Sequence, residues 1–296
     1  MGFWDDIIST FRKGNSLMRL IYLNIAVFII VSVIGIIGFL VVNPEISNQT
    51  IRFISVPSSL NGLLVKPWTI LTYMFVHKEL LHILVNLLWL YWFGTIFLEY
   101  FDQKKLVAVY ILGGLAGALA YVLSYNIFPA FAAVVEESIP LLGASASVMA
   151  IVIAIAAYVP DYTVMLFLIG RVKIKYIAIV IFILTSFLDF SVNSGGKLAH
   201  IGGALFGYLY TLNYRQGRDL GKWFNRIIDS IVTFLKPSPK MKVTYRKQAD
   251  EYEYNKIKSE RQEQINKILD KISKGGYDSL TKDEKDILFR ESQKRN

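Results

Sequence analysis

Four side chains in this sequence could form a hydrolytic site. The chain has three histidines, and two of them, His82 and His200, lie near the start of separate apolar segments. A third apolar segment opens with a serine-containing turn that includes Ser145. Asn86 follows His82 by four residues, so both would share one helix face. Because a histidine can remove the proton of a serine hydroxyl, the set predicts nucleophilic hydrolysis.

The segments around these residues have membrane composition. Hydrophobic residues make up 54% of the chain and charged residues only 19%, which is unlike a soluble domain. A helix needs roughly 20 apolar residues to cross a bilayer. Six segments meet this pattern: residues 21–42, 80–98, 106–127, 143–159, 174–190 and 198–214. We therefore expect an all-α, polytopic membrane protein with six transmembrane helices.

Two further features narrow the class of protein. The first segment is too long for a signal peptide and lacks a small-residue cleavage site, so we expect it to be retained. The chain has no cysteine, which excludes disulfides, a thiol nucleophile and a thiolate metal site.

The positive charges predict the orientation, because Lys and Arg mark the cytoplasmic side. They cluster before the first segment and between alternate pairs of segments, at Arg12, Lys13, Arg19, Lys104, Lys105, Arg171, Lys173 and Lys175, and again in the tail. The opposite side carries fewer, namely Arg52, Lys66, Lys78 and Lys197. Both termini are therefore predicted to be cytoplasmic, with His82, Ser145 and His200 roughly 5 to 10 Å below the outer surface.

Small residues predict that the helices carrying Ser145 and His200 pack closely together. Stripes of glycine and alanine follow His200 and Ser145 on the sixth and fourth segments: Gly202, Gly203 and Gly207 on one, and Gly143, Ala146, Ala150 and Ala154 on the other. Such stripes let membrane helices approach closely. A direct hydrogen bond between Ser145 and His200 would then be possible.

The motifs resemble those of the rhomboid intramembrane serine proteases. The resemblance is carried by His77, His82 and Asn86 at intervals of five and four residues, by Gly143-Ala144-Ser145, and by Ala199-His200-Ile201-Gly202-Gly203 with Gly207. They occur in the family's order on its second, fourth and sixth core helices, over roughly residues 68–214. The resemblance implies a six-helix rhomboid bundle.

It also implies roles for individual residues. Ser145 would be the nucleophile and His200 its general base, with neither a metal nor a cofactor. The side chains of His82 and Asn86, and the backbone N–H of Ser145, would stabilise the oxyanion.

Other residues would be structural in this resemblance. His77 would be buried in the first loop, Glu99 would tie helix ends together, and Gly143, Gly203 and Gly207 would support the site. Three positions depart from the common pattern, namely Thr69, Ala146 and Met149. They bear on loop conformation and rate, and they leave every catalytic group in place.

Several alternatives stay open. Ser147 is about 200° around the helix from Ser145, so only one of these serines can face His200. Three histidines could bind a metal, although their spacing matches no metalloprotease motif. A catalytically silent rhomboid-like escort factor and a proton-relay transporter are further possibilities. The first would normally lack the serine or the histidine, and the second predicts inverted repeats, which we do not find.

The sequence divides into four parts. Residues 1–20 form a cytoplasmic segment, 21–214 the protease domain, 215–244 an interfacial amphipathic helix and linker, and 245–296 a basic cytoplasmic tail. In the tail, Thr281 and Glu284 predict a capping box within a small helical hairpin. It resembles appendages on some bacterial rhomboids.

We therefore expect an intramembrane endopeptidase whose partners are transmembrane substrates and the lipid bilayer, not nucleic acid. The expected location is a bacterial inner membrane. The oligomeric state is not predicted.

Overall fold

The computed structural model describes residues 14–135, 140–167, 169–190, 193–235 and 251–293. The chain divides into two compact units, Met1–Lys236 and Pro237–Asn296. Most of the predicted N-terminal segment and much of the predicted linker lie outside the described residues. Within those residues the structure is mostly helical.

Twelve α-helices occur in the described part of the chain. They are α1 (Ser16–Leu40), α2 (Glu45–Ile54), α3 (Leu60–Val65), α4 (Thr69–Thr72), α5 (Leu80–Tyr100), α6 (Gln103–Ile127), α7 (Ser145–Tyr158), α8 (Ile174–Ser186), α9 (Ser194–Arg215), α10 (Lys222–Leu235), α11 (Glu251–Gly275) and α12 (Lys282–Gln293). Short 3₁₀ turns lie at Tyr73–Phe75, Pro129–Phe131 and Tyr277–Ser279.

Each of the six apolar segments forms one helix, namely α1 and α5 to α9. By length and composition, α1, α5 and α6 could cross a membrane, whereas α7 and α8 are apolar but shorter. The six-span count therefore stays a prediction. The predicted fourth and fifth segments extended to residues 159 and 190, but their helices end at Tyr158 and Ser186.

Polar side chains fix where three of these helices begin. The Asn15 side chain accepts a hydrogen bond from the Met18 N–H before α1, and Asp102 accepts one from the Lys105 N–H before α6. Asn193 precedes α9 in a left-handed conformation and caps it in the same way. Each cap satisfies a backbone donor that the first helical turn leaves free.

The glycine stripe of α9 packs against α7. A β-carbon on Gly203 would overlap the carbonyl oxygen of Ala146, and one on Gly207 would overlap that of Ala150. The two backbones can therefore approach only because both α9 positions are glycine. This contact packs the first two turns of α7, which begins at Ser145, against the middle of α9.

One element was not predicted from the sequence. Strands β1 (Thr163–Leu166) and β2 (Gly170–Lys173) form an antiparallel pair in which Thr163 lies opposite Lys173 and Leu166 opposite Gly170. The all-α prediction is thus wrong for this segment, although the fold remains mostly helical. Asp161 forms ion pairs with Lys173 and Lys175 at the base of the hairpin.

An amphipathic helix follows the sixth apolar helix. Helix α10 exposes an apolar face that includes Trp223 and Phe234, while Asp229 on its polar side pairs with Lys104 of α6. Its position at a membrane interface stays a prediction.

In the C-terminal unit, α12 begins with the predicted capping box. The Thr281 N–H donates to Glu284 Oε2 at 2.8 Å, and the Glu284 N–H donates to Thr281 Oγ1 at 3.4 Å. Lys271 of α11 also donates to Glu284, at 2.9 Å. The two helices are therefore joined by a short turn and an ion pair, and the compact hairpin arrangement stays a prediction.

Candidate active site

The four side chains singled out in the sequence line one cavity. Its volume is about 130 Å³, and its walls include His82 and Asn86 of α5, Ser145 of α7 and His200 of α9. The remaining lining is mostly apolar: Val85, Trp89, Val148, Met149, Val152, Ile181 and Thr185. Asn86 is buried and the other three polar residues are half-buried. Three separate helices thus bring polar groups to one small, mainly apolar space.

Ser145 is the first residue of α7, directly after Ala144 at the N-cap. The N–H groups of a first helical turn have no partner within the helix, and the positive end of the helix dipole lies there. The Ser145 N–H is one of these donors, so the hydroxyl and a free backbone donor occur on the same residue.

The loop that precedes Ser145 is fixed by backbone contacts. Val56 and Leu141 exchange two hydrogen bonds, at 2.9 and 3.0 Å. The Gly143 N–H donates to the Tyr73 carbonyl at 3.0 Å. These contacts hold the turn that precedes Ser145 against the loop between α1 and α5.

His77 provides a further contact for this turn. Its Nε2 accepts from the Ala144 N–H at 3.3 Å, and the ring is fully buried. Burial, and secondly the neighbouring His82, lower the pKa of His77 to about 4. The imidazole is therefore neutral at pH 7, as an acceptor nitrogen requires. His77 does not line the cavity, which agrees with a structural role.

The oxyanion candidates lie beside the serine turn. Gly143 has a φ of +115°, and a β-carbon there would come within 3.0 Å of the His82 ring and 3.8 Å of Ser145 Oγ. Asn86 donates one side-chain N–H to the His82 carbonyl at 2.9 Å, which leaves its second N–H for another acceptor.

Ser147 points away from the cavity. Its Oγ is buried, finds no hydrogen-bond partner within the described structure, and lies beside Gly114 of α6. It does not line the cavity, whereas Ser145 does. This placement favours Ser145 over Ser147 as the serine that faces the cavity with His200.

The His200 ring is held by a neighbouring helix. Its Nδ1 lies 3.1 Å from the carbonyl oxygen of Thr185 in the last turn of α8. Sequence reasoning missed Thr185, because the contact uses a backbone atom and any residue supplies a carbonyl. The direct hydrogen bond between Ser145 and His200 stays a prediction.

Glu99 lies at the other end of α5 and does not line the cavity. Tyr162 donates to its Oε1 at 3.5 Å, which links the end of α5 to the segment before β1.

Two of the three residues that depart from the family pattern have defined places in the structure. Met149 lines the cavity. The Thr69 hydroxyl donates a hydrogen bond to the Lys66 carbonyl at 2.6 Å. Within the described residues, no group of three potential ligands could hold a metal ion.

Comparison with known families finds two matches along the chain. Residues 65–217, just over half of the chain, match the Rhomboid domain. Residues 250–294 match a family of unknown function, DUF6576. A comparison with curated proteins found no match.

Proposed function

Because this chain belongs to the rhomboid family, we propose that it is an intramembrane serine endopeptidase. It is an integral membrane protein, as its family and its apolar helices indicate. Its substrates would be membrane proteins, cleaved in or next to a transmembrane segment. The observation that carries the proposal is that Ser145, His200, His82 and Asn86 line one cavity.

The chemistry would proceed through an acyl-enzyme. Ser145 Oγ attacks the substrate carbonyl carbon while its proton passes to His200 Nε2. The negative charge on the carbonyl oxygen is met by N–H groups of Ser145, His82 and Asn86. His200 then gives the proton to the leaving amine as the peptide bond breaks. A water molecule repeats the cycle on the ester, which releases the acid and restores Ser145.

A catalytically silent member of the family is the alternative. It would bind and escort membrane proteins without cleaving them. The presence of both Ser145 and His200 in one cavity favours the protease.

We infer that the protein resides in a bacterial inner membrane with both termini in the cytoplasm, and that the lipid bilayer and transmembrane substrates are its partners. The cut would then fall on the outer side of the substrate's membrane span.

A cleavage assay tests the proposed function. Purified protein is mixed with a generic single-span substrate in liposomes, and products are read on a gel. Wild type and Ser147→Ala should cleave, whereas Ser145→Ala should not. Full activity of Ser145→Ala would refute the assignment, and an inactive wild type would favour the escort function.

Inhibitors provide an independent test that distinguishes a serine nucleophile from a metal-dependent site. A fluorophosphonate should block cleavage and label the peptide that contains Ser145, and activity should survive strong chelation. Loss of activity in chelator that zinc restores would instead indicate a histidine-metal site.

A further inference from the structure

The orientation of His200 is determined from outside its own helix. His200 lies in the second turn of α9, and its Nδ1 is 3.1 Å from the carbonyl oxygen of Thr185 on α8. A carbonyl oxygen only accepts hydrogen bonds, so Nδ1 must carry the hydrogen. In a neutral imidazole the other nitrogen, Nε2, is then free to accept a proton.

We propose that the Thr185 carbonyl is the positioning group for the general base. This inference rests on the proposed function. In a three-membered serine hydrolase site, a buried carboxylate holds the histidine Nδ1–H and so fixes which nitrogen faces the serine. Here a backbone oxygen at the end of α8 occupies that place. Within the described residues, neither Asp nor Glu lines the cavity.

The end of α8 explains why this carbonyl is available. The last four carbonyls of a helix lack intrahelical partners, and α8 ends at Ser186, one residue after Thr185. The chain then turns away through Asp189, which has a φ of +48°. The Thr185 hydroxyl donates to the Ile181 carbonyl at 2.8 Å and so steadies the last turn.

A carbonyl also suits the surroundings better than a carboxylate would. An ionised group in an apolar space carries a large desolvation cost unless it is paired. The carbonyl is neutral, so it can orient the resting imidazole without adding a net charge to the cavity. When His200 becomes protonated during catalysis, the negative end of the α8 dipole would still face the imidazolium.

The arrangement makes base orientation a property of helix packing. Helix α8 packs on both α7 and α9, which carry the nucleophile and the base. The site therefore needs α8 in place even though no α8 side chain takes part in proton transfer.

A backbone ester tests the carbonyl directly. Replacing Ser186 by its α-hydroxy acid turns the bond between Thr185 and residue 186 into an ester, whose carbonyl is a weaker acceptor. The matched control places an α-hydroxy acid at position 184, which weakens the Ile183 carbonyl instead. Both substitutions remove one N–H from the end of α8, but only the first weakens the contact to His200.

Two readouts are compared in the full-length protein. The first is the tautomer of His200, read by ¹⁵N NMR of labelled histidine without substrate and assigned with a His200→Asn protein. Wild type and the position 184 ester should show Nδ1–H, and the position 186 ester should lose part of that population. The second is turnover, which should fall about 3- to 10-fold in the position 186 ester alone, with KM nearly unchanged.

Two results would overturn the role of the Thr185 carbonyl. One is an Nε2–H tautomer in wild-type His200, and the other is a position 186 ester that matches its control in both tautomer and turnover. If wild type cleaves nothing, the proposed function fails, while the NMR result still shows whether Thr185 orients the ring.

Discussion

The imidazole of His82 lies against the backbone of Gly143. A β-carbon at residue 143 would lie 3.0 Å from Cε1 and 3.3 Å from Nε2 of that ring. Gly143 also has a φ of +115°, which side-chain-bearing residues rarely adopt. One glycine therefore both shapes the serine turn and admits an oxyanion candidate next to Ser145.

Gly143→Ala should lower turnover by about 10²-fold or more, because the new methyl group displaces the His82 donor. The matched control is Gly170→Ala. Gly170 also has positive φ, at +86°, but nothing lies within 4 Å of its β-carbon position. The control carries a backbone strain of about 1–2 kcal/mol without the clash. Equal losses of turnover in the two variants would show that strain, not His82, is responsible.

His82→Ala and Asn86→Ala should each reduce turnover by about 10²- to 10³-fold, because each removes a donor to the transition state. KM should change little, since the ground-state carbonyl gains less from these donors. Leu84→Ala, which alters an exposed position on the same helix, provides the control. Steady-state cleavage kinetics measure both values. Turnover near that of wild type in the His82→Ala and Asn86→Ala proteins would show that these side chains only pack in the structure.

The sequence predicted the cavity residues because their signals are carried by side chains. Histidine, asparagine and serine are costly in apolar helices, and three segments placed them at a similar depth. The glycines at 203 and 207 predicted the close contact of α7 and α9 for an equally direct reason, since only glycine fits there.

Other features carry no such signal. The Thr185 contact uses a carbonyl, which every residue has. The β1–β2 hairpin lies between the fourth and fifth apolar segments, where Arg171, Lys173 and Lys175 indicate a cytoplasmic connection but no strand pairing. Helix α7 ends before the predicted boundary because Pro160 follows closely. Helical geometry is disfavoured at Val159, the residue before this proline. Local backbone chemistry, not hydropathy, determined these details.

The capping box of α12 predicts a pH dependence in the C-terminal unit. Lys271 first, and then the Thr281 N–H, lower the pKa of Glu284 to about 2 from an ordinary value of 4.5. A carboxylate whose pKa is lower in the folded state than in the unfolded state stabilises the fold. This stabilisation is complete above the unfolded-state pKa. Its contribution should therefore persist above about pH 4.5 and disappear as pH falls through about 2.

Hydrogen exchange of the α12 backbone measures this effect, after correction for intrinsic exchange rates. Glu284→Gln should accelerate exchange in the first turn of α12 at pH 7, and the difference from wild type should shrink toward pH 2. Glu263→Gln is the control, because its partner Lys267 lies within the same helix and the pair is exposed. The same exchange rates in both variants would remove the special role of Glu284.

The distribution of Lys and Arg predicts that the cavity opens toward the outer face, and two single cysteines test it in this cysteine-free chain. Ala133, between α6 and α7, and Ser273, in α11, are both exposed positions. A thiol reagent that cannot cross membranes should label Ala133→Cys in intact cells and spare Ser273→Cys, because the tail is predicted to be cytoplasmic. Both should react after detergent lysis, which controls for accessibility. The reverse pattern would place Ser145 near the inner face and change which end of a cleaved substrate is released.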